Sequence, residues 1–106
     1  MLELTKDNFE AEVLQAEGLV VVDFWGDSCE PCKALFPDVE ALADAYKEQL
    51  KFAKLNTTKA RRLAISQRVL GLPNISIYKD GAKLDEVTGK EVNKQMIEDM
   101  IKKHLG

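Results

Sequence analysis

The stretch Leu19-Val20-Val21-Val22-Asp23-Phe24-Trp25 constrains the fold of this chain more than any other. It is β-branched, aromatic and almost unbroken in apolarity, which suits a central strand covered on both faces. Such a strand needs partners on both edges and a layer above and below. The flanking sequence supplies them by alternating strand-like and helix-like segments. Leu2–Leu4 reads as a short strand. Thr5 comes next as an N-cap, and Phe9, Val13 and Leu14 keep helical spacing to about Ala16, before Gly18 stops the helix. After the loop Gly26–Ser28, a long helix is predicted from about Cys29 to Leu50. Leu35, Val39, Leu42, Ala43 and Tyr46 form its inward stripe, and Pro37 is expected to kink it.

Phe52–Leu55 is predicted as a strand, and Lys59–Arg68 as a helix with Leu63, Ala64 and Val69 facing inward. Gly71-Leu72-Pro73 breaks the pattern. Asn74–Lys79 and Ala82–Thr88 then read as two strands joined by an Asp80-Gly81 hairpin turn. Glu91–His104 closes as a helix, with Val92, Met96, Ile97, Met100 and Ile101 at core spacing. Helical crossovers make the early strands parallel, whereas a hairpin makes its strands antiparallel. The expected architecture is a single α/β domain over residues 1–106, a mixed sheet with helices on both faces.

The 106 residues are 45% hydrophobic and 31% charged, enough for a core that needs no disulfide staple. A net charge of -3 argues against a nucleic-acid binder, which needs a basic face for phosphates. Leu19–Val22, the longest apolar run, is too short to cross a bilayer. Met1–Asp7 lacks the basic end and apolar stretch of an export signal, so a cytoplasmic location is expected. In that reducing setting two cysteines point to catalysis or metal binding rather than to a staple. Structural zinc needs four ligands. Cys29, Cys32 and the distant His104 fall short of that within one chain, and no metal is expected. His104 is expected to be solvated near a helix C-terminus, and Lys59, Arg61, Arg62 and Arg68 to form a solvated helix face.

Cys29-Glu30-Pro31-Cys32 sits where the buried strand gives way to the long helix. Dithiol exchange needs one thiolate to attack and a second thiol to resolve the mixed disulfide. Two intervening residues keep the second sulfur within reach, so resolution is effectively intramolecular. At the first helical turn, free N–H groups and the helix dipole favour a negative sulfur on Cys29. Cys32 lies a turn further in and should be less accessible. Cys29 is therefore expected to be the nucleophile and Cys32 the resolving thiol. Pro31 is tolerated because the first turn leaves its backbone donor position unpaired in any case. Asp23 interrupts the apolar strand. Facing inward, its carboxyl would gain a raised pKa and could move protons to and from Cys32.

Val22-Asp23-Phe24-Trp25 followed by Cys-x-Pro-Cys-Lys resembles the thioredoxin family signature. The resemblance covers nearly the whole chain, through Lys54-Leu55-Asn56, Gly71-Leu72-Pro73, Lys79-Asp80-Gly81 and Thr88-Gly89. It implies a five-stranded mixed sheet flanked by four helices, a redox-active Cys29–Cys32 disulfide and no bound cofactor. It further implies a cis-proline at Pro73 packed against the dithiol, with the Leu72 backbone pairing with an extended client peptide. Asp23 corresponds to the family's buried carboxylate and Lys54 to its lysine neighbour. Trp25, Glu30, Pro31 and Gly89 fall on the substrate-contact surface. The implied partners are disulfide-containing client proteins and a flavoprotein thioredoxin reductase as electron donor. No long apolar edge or heptad asks for a dimer, so a monomer is expected.

Three positions depart from the family pattern. Ser28, Glu30 and Asn74 stand where tryptophan, glycine and threonine are usual. Thioredoxins of amino-acid-fermenting anaerobes resemble this chain in replacing the motif glycine. Glu30 puts an anion between the cysteines and is expected to raise the Cys29 pKa relative to a Glu30→Gly variant. Competing functions are an oxidase or isomerase of the same fold, a docking module with a vestigial dithiol, and a glutaredoxin. Oxidases typically carry histidine between the cysteines and reach about -120 mV, against about -270 mV for thioredoxins. A glutaredoxin would place its proline after the first cysteine rather than before the second.

Overall fold

In the computed structural model, which describes residues 1–106, Leu19–Trp25 forms β2 at the centre of a five-stranded sheet. The other strands are β1 (Leu2–Leu4), β3 (Lys51–Asn56), β4 (Asn74–Lys79) and β5 (Ala82–Thr88), in the order β1-β3-β2-β4-β5. β1 and β2 run parallel to β3, while β4 is antiparallel to both β2 and β5. This is the mixed sheet expected from the crossovers and the hairpin. Asp80 and Gly81 take φ of 52° and 83°, the pair of left-handed residues that a tight hairpin turn requires.

The pleat of β2 divides the core in two. Val20, Val22 and Phe24 point to the face covered by Phe9, Val13 and α2 (Arg61–Ser66). The rings of Phe9 and Tyr78 meet edge to face there at 6.0 Å. Val21, with Phe52, Ile75 and Ile77, points to the other face. That face is covered by α1 (Glu30–Ala45) through Leu35, Val39 and Leu42, and by α3 (Lys94–Leu105) through Ile97, Met100 and Ile101. Burying β2 on both faces is what its continuous apolar run demands. Because β4 is antiparallel to β2, its first residues lie beside the last of β2, with Phe24 opposite Asn74. The start of β4 is thereby brought to the end of the sheet where β2 hands over to α1.

Several boundaries differ from the sequence expectation. Thr5 Oγ1 accepts from the Asp7 N–H at 3.1 Å in the turn ahead, but it does not cap the helical element, which is a π-helical turn at Glu10–Leu14 with Phe9 at its N-cap rather than a helix from Thr5 to Ala16. α1 stops at Ala45, short of Leu50. The chain turns at Tyr46 because Leu50, only 7% exposed, must come back to the sheet ahead of β3. α2 is shorter than the predicted Lys59–Arg68, with a separate 3-10 turn at Thr57–Lys59 before it. α3 begins after Asn93, whose side chain accepts from the Met96 N–H at 3.0 Å, so Val92 is buried from the loop. Met96 is 37% exposed instead of core. His104 is not a freely solvated residue, since its Nε2 lies 3.0 Å from an Asp85 carboxylate oxygen. Lys59, Arg61, Arg62 and Arg68 are all at the surface, as expected.

Candidate active site

Cys29 is the N-cap of α1, in extended backbone, and its Sγ accepts from the Cys32 N–H at 3.2 Å. A sulfur in that position takes the role an oxygen usually plays at an N-cap. Glu30, the first helical residue, is exposed and its carboxylate lies 3.3 Å from the Lys33 ammonium. Pro31 is next in the first turn, also exposed. The two sulfurs are bonded, S–S 2.08 Å, with Cα atoms 5.3 Å apart. They are not equivalent. Cys32 is 1% exposed, whereas Cys29 is only half-buried. A disulfide in solution can therefore reach one of them and not the other.

The turn before Cys29 is held by a network of local bonds. The Cys29 N–H donates to the Gly26 carbonyl at 3.1 Å. The Asp27 N–H donates to Thr58 Oγ1 at 2.9 Å, and Asn56 Nδ2 donates to Asp27 Oδ1 at 2.9 Å. Thr57 Oγ1 donates to the Trp25 carbonyl at 2.8 Å. The end of β3 thus fixes the end of β2, and with it the start of α1.

Asp23 shares the face of β2 that α1 covers, and α1 carries Cys32 in its first turn. It is 1% exposed, and neither carboxylate oxygen has a hydrogen-bond partner. Burial pushes its pKa up to about 7, with the Lys54 charge opposing the rise. Lys54 is its register neighbour on β3, and the Lys54 ammonium lies over the Phe36 ring, 5.2 Å from the centroid. Trp25 meets the same ring edge to face at 5.2 Å. A carboxyl of this kind exchanges a proton near neutral pH, as a proton carrier for a thiol must.

In the loop before β4, the Leu72–Pro73 bond is cis and Pro73 is buried. Leu72 is half-buried, and a Cβ placed on Gly26 would come 3.1 Å from Leu72 Cδ1. The loop before β4 therefore lies against the turn that leads to Cys29. Gly89, at φ 108°, donates its N–H to the Pro73 carbonyl at 3.0 Å. The structure thus gathers Cys29, Cys32, Glu30 and Pro31 at the helix start. Asp23, Lys54 and Trp25 lie along β2 and β3 on the side that α1 covers, and the Leu72–Pro73 loop, tied to Gly89, lies against the Gly26 turn that leads to Cys29. Sequence reasoning missed Phe36, which carries both Lys54 and Trp25. Its position one helical turn after Cys32 was the available signal. It also missed Thr57, Thr58 and Asn56, whose role depends on contacts about thirty residues distant in the chain. No group of three or more His, Cys, Asp or Glu side chains is gathered to hold a metal, and no helix is long and apolar enough to cross a membrane.

A mixed sheet that presents an asymmetric dithiol at a helix start defines a thiol–disulfide exchange protein. The family model described as Thioredoxin matches residues 1–103. The chain is 57% identical to a thioredoxin of Acetoanaerobium sticklandii over 105 residues, covering 99% of this chain and 100% of that one. It is 55% identical to a thioredoxin of Peptoclostridium acidaminophilum over 106 residues, covering 100% and 96%. Thioredoxin 1 of Synechococcus elongatus is 35% identical over 102 residues, covering 96% and 94%. The chain belongs to the thioredoxin family, and its Cys29–Cys32 pair is that of a thiol–disulfide oxidoreductase.

Proposed function

We propose that this chain is a monomeric cytoplasmic carrier that reduces protein disulfides and is itself reduced by a flavoprotein thioredoxin reductase. The observation that carries the reading is the unequal exposure of two bonded sulfurs at the start of α1. In the reduced protein the Cys29 thiolate attacks one sulfur of a client disulfide. A Cys29–client S–S bond forms, the client bond breaks, and the first client thiolate leaves. The Cys32 thiolate then attacks Cys29 Sγ, the Cys29–Cys32 bond forms, and the second client thiolate leaves. Two electrons pass from the pair to the client, and the reductase returns two.

Asp23 takes the Cys32 proton as the resolving thiolate forms, and Lys54 supports its ionised form. Trp25, Glu30, Pro31 and Gly89 contact the client. Leu72 pairs with it through the backbone, in the manner of an added strand, beside Pro73. No bound cofactor takes part. The test is reduction of insulin disulfides driven by dithiothreitol. The wild-type chain is expected to accelerate it, and Cys29→Ser and Cys32→Ser each to abolish the acceleration. Full activity in Cys29→Ser would overturn the reading.

A further inference from the structure

Leu72, next to the cis-proline, has a wholly free backbone. Neither its N–H nor its carbonyl is hydrogen-bonded within the chain. The carbonyls on either side of it are engaged, and by one side chain. Thr88 Oγ1 lies 3.1 Å from the Pro73 carbonyl and 3.4 Å from the Gly71 carbonyl. One hydroxyl proton lies between two acceptors, as in a three-centre hydrogen bond. The Pro73 carbonyl is also held by the Gly89 N–H at 3.0 Å.

Planarity turns this contact into a constraint on Leu72. The Gly71 carbonyl and the Leu72 N–H belong to one trans peptide unit, so they point in opposite directions. A hydroxyl that draws the Gly71 oxygen toward β5 aims the Leu72 N–H away from β5. The exposed glycine before Leu72 offers no side chain to fix that plane in another way.

We infer that Thr88 is a positioning residue: its hydroxyl, shared between the Gly71 and Pro73 carbonyls, orients the Leu72 backbone for pairing with an extended client peptide. The inference rests on the proposed client-pairing role of Leu72. Thr88 acts through that backbone and not on sulfur, so it affects only substrates that have a backbone to pair.

The test compares two disulfides with the reduced full chain. One is a short linear peptide whose single cysteine is disulfide-bonded to a second copy. The other is hydroxyethyl disulfide, which has no peptide group. Thr88→Val, isosteric and suited to a strand, is expected to lower kcat/KM on the peptide about 3- to 5-fold, mainly through KM. The rate on hydroxyethyl disulfide stays unchanged, and Thr88→Ser restores the peptide rate. Equal loss on both substrates, no loss on the peptide, or failure of Thr88→Ser to rescue would overturn the role of Thr88. A wild-type protein with no preference for the peptide over hydroxyethyl disulfide would instead overturn the pairing role of Leu72, and this inference with it.

Discussion

Asp23 and Lys54 are register neighbours on β2 and β3, yet the carboxylate has no hydrogen-bond partner and the ammonium lies over Phe36. The lysine supplies charge to the aspartate from a distance and leaves it desolvated. Desolvation wins, and the Asp23 pKa rises from 3.8 to about 7. A carboxyl raised in the folded state stabilises the fold fully below its unfolded pKa, and that contribution is lost as pH rises through the folded value. Here the window runs from about pH 4 to about pH 7, and the loss across it is on the order of 4 kcal/mol. Asp23→Asn is therefore expected to flatten the pH dependence of stability across that window and to exceed the wild type in stability above it. Urea unfolding at a series of pH values checks this. An unchanged slope in the variant would contradict it.

Lys54 opposes the rise, so its removal should carry Asp23 further upward. Lys54→Met keeps the contact with Phe36 and deletes the charge. The carboxyl carbon shift of Asp23, monitored by NMR against pH, is expected to titrate at higher pH in the variant than in the wild type. A lower midpoint would mean that the lysine does not act on Asp23 through its charge.

Glu30 stands one residue from Cys29 with its carboxylate exposed, and the Lys33 ammonium at 3.3 Å offsets part of its charge. An exposed pair of this kind leaves a net local field, weakened by salt. Thiolate absorbance against pH, in the reduced protein, is expected to show the Cys29 thiolate forming at lower pH in Glu30→Gly than in the wild type. The difference should shrink at high salt. Equal or inverted titrations would remove any role for this charge.

Arg68 occupies a left-handed conformation, φ 61°, just after α2. Its N–H donates to the Ile65 carbonyl, and the next N–H, from Val69, reaches back to the Ala64 carbonyl at 2.9 Å. That is the Schellman arrangement, in which glycine normally takes the left-handed position. The strain relieved there exceeds the extra freedom glycine gives the unfolded chain. Arg68→Gly is expected to stabilise the protein by about 0.5–1 kcal/mol, read as a higher thermal midpoint. A lower midpoint would show that the arginine side chain contributes more than its backbone costs.

The features legible in the sequence were local ones. β2 declared itself by composition, the hairpin by Asp80-Gly81, and the dithiol by its spacing at a strand–helix junction. The stop of α2 was hidden because Arg68 does a glycine's work. The onset of α3 was misplaced because buried Val92 continues the helical spacing, although Asn93 carried a cap signal. His104 finds Asp85, and Thr88 finds the Pro73 carbonyl, through contacts that exist only once the sheet is assembled. The strand pattern marks Asp23 as a break in an apolar run but leaves open a solvent-facing place at the strand end; its burial without a hydrogen-bond partner emerges only in the fold.

Of the two sulfurs, Cys29 attacks and Cys32 resolves in the proposed exchange. Trapping measures this order most directly: each single serine variant is mixed with a disulfide-bonded client and the products are weighed by intact mass spectrometry without reductant. Cys32→Ser is expected to accumulate a covalent adduct with the client through Cys29, and Cys29→Ser to accumulate none. An adduct on Cys32 in the Cys29→Ser protein, with none on Cys29 in the other, would contradict the assignment.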